Sequence, residues 1–269
     1  MADAAPATGY APVNGLRMYY ETHGSGEPLV LLHGAYGTID LWGPILDGLA
    51  KTRQVIAVEQ QAHGHTADVD RPLRYEQMAE DTAALMRHLG IARADVFGYS
   101  MGANTGLQLA MRHPDLVRKL VAVWPNYRLD GYYPELLAGI QTTTPETFAG
   151  SPIEEAYLRS APNPDDWPTL IEKLKDLDAQ EFAWPEDDVR AIAAPTLVMI
   201  GDSDGVRPEH AVELFRLRGG GVPGDLVGLP PSQLAVLPGT THVSIVVERA
   251  DWLLAMCQPF LDAPMPEAG

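Results

Sequence analysis

Apolar positions along the chain follow two rhythms. Short runs, Pro28 to Leu32, Val55 to Val58, Ala94 to Tyr99, Leu120 to Trp124, Pro195 to Ile200 and Gln233 to Leu237, read as strands, and Pro28 to Leu32, which has no polar alternation, as one covered on both faces. Between them the spacing lengthens to three and four residues: Met78, Ala79, Thr82, Leu85, Met86 and Leu89 make one face of a helix. Helices are predicted over about 38–50, 75–89, 100–113, 209–217 and 250–261. Residues 8–13 and 16–21 flank Asn14-Gly15, the pattern of an antiparallel hairpin. The alternation predicts an α/β fold: a mostly parallel, doubly wound sheet of about eight strands, with the hairpin at its N-terminal edge.

The rhythm breaks over residues 127–194, which hold no apolar β run. Ser151-Pro152-Ile153-Glu154 offers a capping serine, a proline at the first helical position and a glutamate at the third. Leu170, Ile171, Leu174 and Leu177 give a second helix an apolar stripe. The stretch is read as a helical insertion in a core made of 1–126 and 195–269. Gly219 to Pro231, rich in glycine and proline, reads as a loop.

Composition narrows what such a fold can do. The 269 residues are 46% apolar, ample for a core, and carry a formal net charge of −17. That charge argues against nucleic acid or an anionic membrane as partner, since both need a positive surface. Cys257 is the single cysteine, which forbids an intrachain disulfide and fits a reducing compartment. The first residues have neither the positive nor the apolar region of a leader, and no apolar run approaches the roughly 18 residues of a membrane span. The expectation is a cytoplasmic protein acting on a small molecule; its oligomeric state is not legible.

Candidate chemistry centres on Gly98-Tyr99-Ser100-Met101-Gly102, where a parallel strand passes into a helix. A sharp turn there strains its central residue, needs glycines on both sides, and exposes the Ser100 hydroxyl at the sheet's C-terminal edge. The Met101 N–H, at the helix start, points where an oxyanion would form. A serine hydroxyl needs a general base, and the base needs an acid to orient it. His242 follows the strand ending at Leu237, and Asp204 follows the strand ending at Ile200. The order Ser100, Asp204, His242 is that of one hydrolase architecture.

On these residues the sequence resembles the α/β-hydrolase family over nearly its whole length. Leu31-Leu32-His33-Gly34 is similar to the family's oxyanion loop, in which the residue after the glycine, here Ala35, supplies a second N–H. The family places its aspartate three residues after a glycine such as Gly201, which favours Asp204 over Asp202; the alternative acid position, after the preceding strand, is filled by Pro125-Asn126. The insertion occupies the place of the family's helical cap. The resemblance implies a serine hydrolase of the esterase or cofactor-free haloperoxidase type, with no cofactor and no metal. Hydrolysis of a carbon–carbon bond, perhydrolysis, and a non-catalytic receptor on the same fold remain open alternatives, whereas epoxide and haloalkane hydrolases need aspartate where Ser100 stands. Two departures stand out: Glu59-Gln60-Gln61-Ala62-His63-Gly64-His65-Thr66 alters a turn near the pocket, and Thr241 replaces the usual glycine before the histidine.

The remaining candidates read as structural. His63 and His65, with Asp68 and Asp70, lack the third placed ligand that a metal requires. His33 is expected to bond within its loop, His88 and His113 to sit at helix C-termini, and Cys257 to lie inert in a helix. His23 and His210 have no evident partner. The insertion holds 8 of the 20 aromatic residues, which implies a covered, largely apolar pocket. Tyr36, Trp124 and Tyr99 are the expected substrate contacts. The insertion also carries 14 acidic against 5 basic side chains, a net of −9. Most of these acids are expected on a solvated outer face, and the pocket to prefer neutral or cationic esters.

Overall fold

A computed structural model describes residues 6–180 and 182–266. The hairpin forms as predicted, β1 (Ala7–Val13) against β2 (Leu16–His23), with Asn14 and Gly15 at φ 47° and 86°. Positive φ at both residues is what a two-residue hairpin turn needs to match strand twist. The remaining strands are β3 (Glu27–Leu32), β4 (Arg53–Val58), β5 (Ala94–Tyr99), β6 (Val117–Val123), β7 (Thr196–Gly201) and β8 (Gln233–Leu237). They form one eight-stranded sheet in the order β1-β2-β4-β3-β5-β6-β7-β8, antiparallel at β1, β2 and β4 and parallel from β4 to β8.

Alternate strand residues feed two cores. Val30, Leu32, Ile56, Val58, Val96, Leu120, Ala122, Val198 and Ile200 face one side, where α2 (Tyr75–His88), α3 (Met101–Arg112) and α8 (Pro208–Leu217) pack. Leu29, Leu31, Val55, Ala57, Phe97, Val121, Val123, Leu197 and Met199 face the other, against α1 (Gly43–Ala50), α10 (Ser244–Val247) and α11 (Ala250–Asp262). A period of two with both faces buried makes the sheet doubly wound.

Two strands start earlier than the apolar runs, and buried charge explains why. β4 begins at Arg53 and β6 takes in Arg118 and Lys119. Arg53 and Arg118 both reach the fully buried Asp95, at 2.8 and 2.5 Å. Lys119 Nζ donates to the carbonyls of Phe260 and Leu261, closing the C-terminal end of α11. Partners from distant segments satisfy these charges, so the strands extend through residues that read locally as polar.

Between β6 and β7 the chain forms α4 (Pro134–Gln141), α5 (Pro152–Ser160), α6 (Trp167–Ala179) and α7 (Glu186–Ala191). Ser151 caps α5 by accepting from the Glu154 N–H, while the Glu154 carboxylate reaches back to Gly150 N–H and not to the cap residue. Trp167, Leu170, Ile171, Leu174 and Leu177 of α6 join the same cluster as α2 and α3, so the insertion packs onto the sheet's helical layer. The Gly219 to Pro231 loop contains one helical turn, α9 (Gly224–Val227).

Candidate active site

Three loops meet at the C-terminal edge of the parallel strands. The first is the turn from β5 into α3. Ser100 sits there at φ 55°, ψ −120°, a conformation that side-chain-bearing residues avoid. Backbone crowding fixes it: a Cβ on Gly98 would stand 2.2 Å from the Gly102 carbonyl oxygen, and one on Gly102 would stand 2.1 Å from that of Leu32. Only glycine at both positions lets the chain pass so close to itself. Ser100 N–H donates to the Val123 carbonyl at 2.8 Å, and its own carbonyl accepts from Ala103 and Asn104 as α3 begins. Its Oγ hydrogen-bonds to no described residue, an arrangement common before substrate tightens a site.

The second and third loops follow β7 and β8. Asp204 is buried, its Oδ2 accepting from Gly201 N–H at 3.2 Å and its Oδ1 from Gly205 N–H at 2.8 Å. That Oδ1 lies 3.5 Å from His242 Nδ1, which is buried and has no hydrogen bond. The gap is an ion-pair distance, slightly long for a hydrogen bond. Asp202 points elsewhere, accepting from Gly239 N–H at 2.9 Å and from Ser203 Oγ at 3.3 Å.

Two aromatic residues hold the imidazole. Tyr99, expected at the substrate, lies buried behind His242: the rings stack at 4.9 Å, and the phenol donates to the His242 carbonyl at 3.0 Å. Trp124 follows β6 at φ 64°, a costly conformation for so bulky a residue, and its ring centroid is 4.0 Å from that of His242. Its far side stacks on Tyr132 of the insertion at 5.0 Å, and its buried indole N–H has no partner.

Across the serine lies the loop after β3. The N–H groups of Ala35 and Met101 donate to no described residue, so both are free for an oxyanion. Tyr36 is held at φ 61°, its N–H donating to His63 Nε2 at 3.2 Å, and its ring meets Phe148 and Trp167 of the insertion. His33 and His63 lace this loop to the altered turn after β4. His33 Nδ1 donates to the Gly34 carbonyl while Nε2 accepts from Gln60 N–H; His63 Nδ1 donates to the Gln61 carbonyl. Burial lowers them to about 4 and about 3, His63 being lowered further by His33, so both stay neutral with fixed tautomers. In the same turn the Glu59 carboxylate accepts from Ile39 N–H and pairs with His65. His63 and His65 thus bind separate partners.

The other singled-out residues have local roles. His23 pairs with Glu21, His113 with Glu80, and His210 stacks on Tyr127 while accepting its N–H. Cys257 is buried in α11, where burial pushes its thiol up to about 12. No described helix is long and apolar enough to cross a membrane. Two surface clefts, of about 240 and 550 Å³, are lined by other residues and contain none of Ser100, Asp204 and His242.

The sequence matches the family model described as alpha/beta hydrolase fold over residues 27–149. It is similar to a "Putative carbamate hydrolase RutD" of Azorhizobium caulinodans, 32% identical over 57% of this chain and 56% of that protein. A protein of the same name from Caulobacter sp. is 28% identical over 71% of this chain and 80% of its own. The chain spans about half the length of the first relatives it matches. Among solved structures, the enol-lactonase of Burkholderia xenovorans superposes with a TM-score of 0.73 at 23% identity, covering 94% of this chain and all of that one. A meta-cleavage product hydrolase of Pseudomonas fluorescens does so at 0.75 and 18%, over 97% and 98%.

Proposed function

For a chain that belongs to the α/β-hydrolase fold family, we propose that this protein is a serine hydrolase cleaving a carboxylic ester or related acyl compound of small to medium, largely apolar type. The observation that carries the reading is Ser100 at φ 55° in a turn that only flanking glycines permit, with Asp204 and His242 paired at the same sheet edge. Ser100 Oγ attacks the acyl carbon as His242 Nε2 takes its proton. Asp204 holds Nδ1 and stabilises the imidazolium, and the Ala35 and Met101 N–H groups hold the oxyanion. His242 returns the proton to the leaving group; water, activated by the same base, then releases the acyl group from Ser100. Residues 127–194 act as a cap whose aromatic side chains meet Tyr36 and Trp124 on either side of the serine.

The names of the relatives support hydrolysis at an acyl carbon and widen the substrate class to carbamates. The enol-lactonase likeness supports the fold alone. Incubation with a fluorophosphonate and intact mass measurement tests the reading: one adduct, absent in Ser100→Ala together with activity on short-chain aryl esters, is expected. No adduct on Ser100, or full activity in Ser100→Ala, would sink it.

A further inference from the structure

The loop that carries Asp204 is stitched to the insertion. Just past Asp204, the backbone from Gly205 to Arg207 runs antiparallel to Gly131 through Tyr133, with Tyr132 opposite Val206. Two hydrogen bonds close this short ladder, from Tyr133 N–H to the Gly205 carbonyl at 3.1 Å and from Arg207 N–H to the Gly131 carbonyl at 2.9 Å. They flank the Tyr132 and Val206 pair without joining it, the arrangement in which facing side chains approach most closely. Gly205 is engaged on its other side too, its N–H donating to Asp204 Oδ1 at 2.8 Å. The ladder thus holds, one residue away, the carboxylate oxygen that lies 3.5 Å from His242 Nδ1.

Side chains at the same pair reach the base. Tyr132, Val206 and Trp124 form a small buried cluster of their own, apart from the two cores of the sheet. The Tyr132 ring stacks on Trp124 at 5.0 Å, and the Trp124 ring lies 4.0 Å from that of His242. Gly205 leaves room for this packing: a Cβ there would stand 3.0 Å from Trp124 Cζ2 and 2.6 Å from Leu136 Cδ2 of α4. On the serine side, the Tyr132 hydroxyl accepts from Asn104 Nδ2 at 3.4 Å, and the Asn104 N–H donates to the Ser100 carbonyl at 3.1 Å. The bond from Asn104 to the phenol is long and therefore weak, which leaves the stack and the ladder as the two firm connections.

Resting on the serine hydrolase reading, we propose that Tyr132 is a positioning residue for the Asp204 and His242 pair: its ring backs Trp124 against the imidazole, while the ladder it belongs to fixes the loop that carries the carboxylate. Tyr132 acts through these neighbours and not on the reacting atoms. A separation of 3.5 Å is just beyond a hydrogen bond, so a small displacement of either partner decides whether the acid orients the base. The first segment of the insertion therefore does more than cover the serine, because its seating aligns the base.

Kinetics on a short-chain aryl ester test this. Tyr132→Leu removes the stack and keeps the backbone ladder; kcat is expected to fall at least about fivefold with KM within about twofold. Tyr132→Phe keeps the ring, and its kcat should stay within about twofold of wild type. A double-mutant cycle separates positioning from general loosening: in an Asp204→Asn background Tyr132→Leu should cost less than about twofold, because the pair it aligns is already broken. If Tyr132→Leu fails to fold, Gly205→Ala takes its place in the kinetics and the cycle, since its methyl enters between Trp124 and Leu136 and should lower kcat at least about threefold with KM retained. An unchanged kcat, a loss carried by KM, equal losses in Tyr132→Phe and Tyr132→Leu, or full additivity with Asp204→Asn overturns the proposal. Ester hydrolysis that persists in Ser100→Ala, or no hydrolysis at all, would defeat the serine hydrolase reading itself, whereas hydrolysis that needs Ser100 and ignores Tyr132→Leu defeats the Tyr132 assignment alone.

Discussion

Tyr99 holds His242 at two points, its ring stacked on the imidazole at 4.9 Å and its hydroxyl donating to the His242 carbonyl at 3.0 Å. One contact fixes the plane of the ring and the other fixes the backbone that carries it. Tyr99→Phe keeps the stack and loses the hydrogen bond, a loss of about 0.5–1.5 kcal/mol. Expressed in the barrier, that is a roughly two- to tenfold lower kcat with KM unchanged. Tyr99→Leu, which loses both contacts, is expected to cost more, and equal kinetics for the two variants would show the phenol to be mere filling.

Strain at the elbow predicts opposite effects for two neighbouring substitutions. Ser100 pays for its φ of 55° in stability, and glycine adopts that conformation freely. Ser100→Gly should therefore be inactive yet more stable, by about 1 kcal/mol, readable as a Tm increase of about 2 °C or more. Gly102→Ala should do the reverse, because its Cβ would stand 2.1 Å from the Leu32 carbonyl oxygen and only backbone movement relieves that contact. A loss of more than about 2 kcal/mol in urea unfolding is expected. A Gly102→Ala protein of wild-type stability would mean that the turn is looser than its geometry implies.

Local sequence carried most of the framework and part of the site. Asn14-Gly15, the strand runs and the glycines about Ser100 are signals within a few residues, and each forms as expected. The family resemblance favoured Asp204 over Asp202, and Asp204 Oδ1 lies 3.5 Å from His242 Nδ1 while Asp202 accepts from Gly239 N–H. What the sequence hid depends on contacts between distant segments. Tyr99 faces His242 across 143 positions and His63 reaches Tyr36 across 27, so nothing in either neighbourhood signals the contact. Arg53, Arg118 and Lys119 lie inside strands because Asp95 and the end of α11 receive them. Most acids of the insertion were expected on a solvated outer face, and Asp178, near the end of α6, is half-buried.

The same residue gives the pH dependence a sign. Asp178 is pushed up to about 7 from an ordinary 3.8, so the folded protein binds its proton more tightly than the unfolded chain does. The carboxylate therefore costs stability above about pH 7, and the cost fades as pH falls toward 4. Asp178→Asn removes it. The variant should exceed the wild type by about 2–4 kcal/mol at pH 8 and match it near pH 4.5, as measured by urea unfolding at both values. A difference independent of pH would assign the gain to packing and place Asp178 in water.

The choice between two aspartates two residues apart is the sharpest test of the acid. Asp204 is fixed by two backbone N–H groups with one oxygen 3.5 Å from His242 Nδ1, whereas Asp202 is spent on Gly239 and Ser203 at the surface. An amide at 204 cannot stabilise an imidazolium and offers its N–H₂ as readily as its oxygen, which permits the wrong histidine tautomer. Asp204→Asn should lower kcat on an aryl ester by about 10²-fold or more with KM little changed. Asp202→Asn keeps an acceptor for the Gly239 N–H and should stay within about twofold of wild type. Because Asp204 is buried and its bonds to Gly201 and Gly205 hold the loop, melting curves must accompany the rates: a folded but inactive Asp204→Asn identifies the acid. If Asp202→Asn were instead the inactive variant, the orienting carboxylate would have to come from the other side of the loop and the pairing with His242 would not operate in catalysis.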